Sequence, residues 1–158
     1  MTKKVAILYP VIFESVKKYF SSNDVEIILS DKSELNSDFD LVVVYDDYDF
    51  TQTQNNIINI HPSLLPAYKE KDAIIKAFND GVKVSGVTVH SKDKIIAQYP
   101  ILIGVDTHID DFMNEMLGVG KKLLPPVIDA LLNDRVFDFK DLFSNPCHKG
   151  CSGCGGCH

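Results

Sequence analysis

Leu41-Val42-Val43-Val44-Tyr45 is apolar throughout, the pattern of a strand covered on both faces in a parallel sheet. Its neighbours give it context. Upstream, Lys4-Val5-Ala6-Ile7-Leu8-Tyr9 reads as a first buried strand. Ile12, Phe13, Val16, Tyr19 and Phe20 then recur at helical spacing and predict an amphipathic helix over residues 10–20. Val25-Glu26-Ile27-Ile28-Leu29 is a second strand. Downstream, residues 46–56 are acidic, then rich in Gln, Asn and Thr, and read as a loop. Ile57-Ile58-Asn59-Ile60 is a fourth short strand that runs straight into His61-Pro62. Strands alternating with helices point to a parallel α/β sheet.

The second half changes rhythm. Ala73, Ile74, Ala77 and Phe78 share one face of a short helix that Gly81 ends. Val82 to His90 and Ile95 to Ile103 then pair about a turn at Asp93-Lys94, an antiparallel hairpin. Thr107-x-x-Asp110 has the spacing of a capping box and opens the longest helix. Met113 and Met116 lie on its apolar stripe and read as core, and Pro125-Pro126 is expected to kink or split it. The expected fold is therefore a three-layer α/β domain over residues 1–143. Its sheet is mostly parallel and Rossmann-like, with an antiparallel hairpin extension and a long C-terminal helix.

Composition narrows the classes. At 158 residues with 45% hydrophobic and 24% charged side chains, the chain is long enough for one core without disulfide staples. Lys and Arg number 16 against 22 Asp and Glu, a net charge of −6. An acidic chain with no basic run argues against nucleic acid and anionic membrane as partners. No apolar stretch approaches the ~20 residues of a membrane span, and Met1-Thr2-Lys3-Lys4 leads into a strand rather than a signal core. A cytoplasmic location is expected.

The candidate site lies at the end of the fourth strand, because open α/β sheets bind ligands at the carboxyl ends of their strands. Asn59 and His61 are two apart on extended backbone and so project to one side. An amide donor beside an imidazole suits acyl transfer, polarising a carbonyl and moving a proton. On residue types alone, a turn with a surface histidine fits as well.

The full octet, Asn59-Ile60-His61-Pro62-Ser63-Leu64-Leu65-Pro66, resembles the signature of formyltransferases that use 10-formyltetrahydrofolate, those acting on phosphoribosylglycinamide above all. The resemblance continues through Lys71-Asp72-Ala73-Ile74, residues 77–81, Gly86-Val87-Thr88-Val89-His90, Ile95-Ile96-Ala97-Gln98 and Leu123-Leu124-Pro125. It implies that Asn59 orients and polarises the formyl carbonyl and that His61 carries the proton of a tetrahedral intermediate. It also implies substrate or cofactor contacts for Ser63 and His90.

The chain departs from that family in its supports. The family's catalytic Asp follows the Val-His pair in a longer loop, yet Val89-His90 is followed only by Ser91-Lys92-Asp93-Lys94 before Ile95. The family's first strand ends in a Gly- and Ser-rich turn that cradles a phosphate. Tyr9-Pro10-Val11-Ile12-Phe13 stands there instead. The segment that would supply backbone to the pterin ring, residues 46–56, is short and acidic, and Glu70 replaces a usual glycine.

All four cysteines fall in the last twelve residues. Cys147, Cys151, Cys154 and Cys157, with His148 and His158 beside them, are separated by glycines that let a chain fold back tightly. Four thiols suit Zn²⁺ or an iron–sulfur cluster, so residues 144–158 read as a metal-binding tail; a disordered, redox-exposed tail is the other reading. The functional expectation is formyl transfer from 10-formyltetrahydrofolate to a small-molecule amine, with altered or reduced activity where the supports are missing. The alternative is a non-catalytic metal-binding or regulatory protein on a formyltransferase scaffold.

Overall fold

The computed structural model describes residues 1–21, 24–35, 38–45, 56–92 and 94–143. In chain order the elements are β1 (Lys3–Ile7), α1 (Pro10–Tyr19), β2 (Val25–Leu29), β3 (Leu41–Tyr45) and β4 (Ile57–His61). Then come α2 (Ala73–Asn79), β5 (Val84–His90), β6 (Ile95–Leu102) and α3 (Ile109–Leu132). The six strands form one sheet in the order β2-β1-β3-β4-β5-β6. Pairings are parallel from β2 through β4 and antiparallel from β4 to β5 and β5 to β6. The mostly parallel sheet, its hairpin extension and the long C-terminal helix are those the sequence predicts.

Alternation along the strands sorts side chains between two faces. Val5, Ile7, Val43, Ile58, Ile60, Val87 and Val89 face α1 and α3 and join Ile12, Val16, Phe112, Leu123 and Ile128 in the main core. On the opposite face Ala6, Val42, Val44 and Ile57 form a smaller cluster with Leu8, Leu35 and Phe39. The helices that pack against the sheet among the described residues, α1 and α3, share the first face.

The long helix corrects two expectations. It runs unbroken for 24 residues through Pro125 and Pro126. A helix-interior proline costs ~3 kcal/mol. Leu123, Leu124, Val127 and Ile128 are all fully buried around that pair, and each buried side chain of this size contributes about 1.5–3 kcal/mol. Packing therefore outweighs the lost backbone bonds. Nor does the capping box form: His108 is the N-cap residue and has no side-chain cap bond. Thr107 instead accepts from the Gly104 amide at 3.0 Å, closing the turn before the helix. Asp110 and Asp111 in the first turn still complement the helix dipole.

Candidate active site

β4 is buried at all five positions and extends one residue beyond the predicted strand, so that it includes His61. Ile58 and Ile60 point into the main core. Asn59 and His61 alternate with them, share the opposite face at the strand's carboxyl end, and are each 5% exposed. Asn59 stands opposite Val44 on β3 and His90 on β5, and His61 stands opposite Thr88. The antiparallel register thus brings His90 onto the same face as the pair.

His61 is held by backbone. Its Nε2 lies 2.9 Å from the carbonyl oxygen of Tyr68, and a carbonyl only accepts, so Nε2 carries the hydrogen. The neutral ring then has its lone pair on Nδ1. Tyr68 adopts a left-handed backbone (φ 50°), which costs a non-glycine residue of order 1–3 kcal/mol unless its surroundings hold it. Its hydroxyl donates to Asp80 at 2.8 Å, anchoring the residue to the end of α2 and raising the phenol's pKa.

The turn after His61 is fastened to the hairpin by one hydroxyl. Thr88 Oγ1 donates to Ser63 O (2.6 Å) and accepts from Leu65 N (3.1 Å) and Gln98 Nε2 (3.1 Å). That is the full capacity of a hydroxyl. Gln98 also donates to Leu65 O at 2.9 Å, next to the cis Leu65-Pro66 peptide. Ser63, which the resemblance places among ligand contacts, is fully buried and donates to Ala67 O at 2.7 Å, so its hydroxyl braces the turn. His90 is half-buried and donates from Nδ1 to Ser91 O at 3.0 Å. Burial lowers its pKa; the bond to Ser91 O works against that shift, and the nearby His61 adds to it. Ser91 N bonds to Lys94 O at 2.9 Å, closing β5 onto β6 with the tight turn read from the sequence.

A separate cavity of about 220 Å³ opens on the helix-covered face, between the ends of β1 and β3 and the flank of α3. Tyr9 and Tyr45 stack beside it with ring centroids 4.2 Å apart and planes within 13°. Met113, expected in the core, is 44% exposed and lines this cavity together with buried Met116. The helical stripe places Met113 toward the sheet, but no side chain of the described residues fills the space above it. Periodicity shows the face a residue takes and not whether that face is filled.

Cys147, Cys151, Cys154, Cys157, His148 and His158 lie outside the described residues, as does the loop at 46–55. Among the described residues there is no cluster of three or more His, Cys, Asp or Glu placed to hold a metal. None of the described helices is long and apolar enough to cross a membrane.

The formyl transferase family matches residues 28–128, a span that contains β3 through most of α3, with Asn59, His61 and the turn that Thr88 and Gln98 brace. The chain belongs to the formyl transferase family. It is 44% identical over 82 residues to a phosphoribosylglycinamide formyltransferase of Bacillus subtilis, covering 48% of this chain and 42% of that protein. It is 33% identical over 93 residues to a formyltetrahydrofolate deformylase of Haemophilus influenzae, covering 55% and 34%. The chain thus spans less than half the length of these curated relatives. The fold is that of a phosphoribosylglycinamide formyltransferase from Anaplasma phagocytophilum (TM-score 0.68, 21% identity, 85% of this chain and 88% of that one). An enzyme of the same name from Brucella melitensis also has a TM-score of 0.68, at 16% identity over 87% of this chain and all of that one.

Proposed function

We propose that this protein transfers a formyl group from 10-formyltetrahydrofolate to a small-molecule amine, with Asn59 and His61 as the catalytic pair. One observation carries the reading. A buried amide and a buried imidazole share one face at the carboxyl end of a central strand. The amine nitrogen attacks the formyl carbon, and the carbonyl π electrons move to oxygen. The Asn59 amide donates to that developing oxyanion. His61 takes a proton from the attacking nitrogen and returns it to N10 of the folate as the C–N10 bond breaks. Tyr68 O fixes the ring for this exchange. A carbonyl steadies imidazolium less than a carboxylate does, so the tight Ser91–Lys94 turn, which has no room for the family's Asp loop, favours a slower enzyme.

That same turn favours the second reading, a folate-responsive regulatory protein. Calorimetry with an unreactive 10-formyltetrahydrofolate analogue, followed by single-turnover formyl transfer, separates the two. Binding with turnover supports the enzyme, and binding without turnover supports the regulator. No binding at millimolar analogue removes both.

The acceptor is a small molecule rather than nucleic acid or membrane, in keeping with the net charge of −6. The tail belongs to the same proposal: Cys147, Cys151, Cys154 and Cys157, with His148 and His158 nearby, bind Zn²⁺ or an iron–sulfur cluster through thiolates. Metal analysis of anaerobically purified protein tests it, with Cys151→Ser and Cys154→Ser as controls. Metal-free protein overturns it.

A further inference from the structure

We infer that the cavity beside Tyr9 and Tyr45 is an acceptor pocket for an uncharged apolar or aromatic amine, and not for a phosphate ester. The inference rests on the formyl-transfer reading above and specifies its acceptor. The cavity of about 220 Å³ is lined by Tyr9, Tyr45, Met113, Asn114, Met116 and Leu117, among others, and none of the described residues that line it carries a charge. Phosphate binding needs cationic side chains or converging backbone N–H groups. The described residues that line the cavity include no cationic side chain. Pro10 occupies the first turn of α1 and has no N–H, and the Ile12 amide already donates to Tyr9 O at 3.3 Å.

What the cavity does offer suits a flat apolar body. The two stacked tyrosines present ring surface, and two thioethers add polarisable contacts of the kind sulfur makes with aromatic rings. Burial raises the Tyr9 pKa, so its phenol stays neutral. The Asn114 amide and the two phenols are the polar groups able to orient a ligand.

The pocket and the catalytic pair lie on opposite faces of β4, since Ile60 lines one and Asn59 and His61 share the other. They meet at the strand's end, where Pro62 lines the pocket immediately after His61. An amine whose body fills the pocket would reach the reacting centre past Pro62.

The chain has three methionines, and two of them, Met113 and Met116, line the pocket. Methyl-labelled methionine therefore gives a direct NMR readout, with Met1 as internal control. Indole and aniline at millimolar concentration should shift the Met113 and Met116 signals and leave Met1 unmoved. Ribose 5-phosphate and inorganic phosphate should leave all three in place. Tyr9→Leu and Met113→Gln should each weaken indole binding by about three- to tenfold, the worth of one aromatic or sulfur contact. Shifts caused by ribose 5-phosphate, or none from the aromatic probes, overturn the inference. So does formyl transfer confined to phosphorylated amines. The folate-analogue calorimetry above is read separately, so a dry pocket with bound folate sinks this inference alone, and an occupied pocket without folate binding sinks the formyl-transfer reading.

Discussion

His61 donates its Nε2 hydrogen to the carbonyl of Tyr68 across 2.9 Å, seven residues along the same turn. This bond sets the tautomer of the candidate base. Imidazole ¹⁵N shifts at pH 8 should show His61 as the Nε2–H form. Tyr68→Phe removes the phenol's bond to Asp80 while keeping the carbonyl, and should loosen the turn, read as faster amide exchange over residues 64–68. A His61 found as the Nδ1–H tautomer would contradict the geometry.

His90 makes stability depend on pH. Burial, with His61 nearby on the same face, lowers its pKa below the ordinary 6.5, so the folded state binds its proton less readily than the unfolded chain. Its contribution is complete above 6.5 and is lost as pH falls through 6.5 toward the lowered folded value. Urea midpoints measured between pH 8 and pH 5 should decline, and His90→Gln should flatten the part of that decline that belongs to this residue. A His90→Gln variant with an unchanged slope would remove His90 as the cause.

Strand positions were legible wherever burial is uniform. Leu41–Tyr45 matches its predicted bounds because a buried parallel strand is apolar without interruption. Val25–Leu29, an edge strand with Glu26 and Leu29 exposed, is marked instead by its β-branched residues after the Asn23-Asp24 break. Asn59 and His61 were legible because two-residue alternation fixes a shared face. The Thr88–Gln98 brace was not, since it joins residues 10 apart to a turn 25 residues upstream, a contact that only the β4–β5–β6 register creates. Thr107 misled because a capping box and a pre-helix turn use the same hydroxyl, and spacing does not say which amide it meets. The cavity beside Met113 is not legible in the sequence, because the space between β1, β3 and α3 is a property of packing.

If Asn59 and His61 are the catalytic pair, their substitutions should act on turnover more than on binding. Asn59→Ala should lower kcat by about 10²–10³-fold, the usual worth of an oxyanion donor. His61→Asn should lower it by about 10²–10⁴-fold, as loss of a general base does. Folate-analogue affinity measured alongside should change little. An unchanged kcat in either variant would exclude that residue from the chemistry.

Thr88→Val keeps the shape and removes the hydroxyl that meets Ser63, Leu65 and Gln98. Thr88 is fully buried, so the stranded Leu65 amide and Ser63 carbonyl should cost about 1–3 kcal/mol in denaturant unfolding. Thr88→Ser restores the hydroxyl and should recover most of that loss. If Thr88→Ser recovers none of the loss seen in Thr88→Val, the hydroxyl brace is not what stabilises the turn.

Gly86 shows how closely the hairpin and the site turn approach each other. It pairs with Pro100 across β5 and β6. A Cβ built there would lie 2.1 Å from Tyr99 O and 2.7 Å from Leu64 Cδ2. Leu64 can rotate away, but Tyr99 O is backbone and moves only with the strand. Glycine inside a strand ordinarily weakens it, and a close backbone approach is one of the reasons it is kept. Gly86→Ala should therefore destabilise by roughly 3 kcal/mol, the upper end of overpacking. It should also displace Leu64, in the turn that carries the Tyr68 carbonyl. Amide exchange should speed up across β5 and β6, and the His61 imidazole signals should shift in the same variant. Loss of stability with His61 unmoved would show that the hairpin is strained without transmitting that strain to the site.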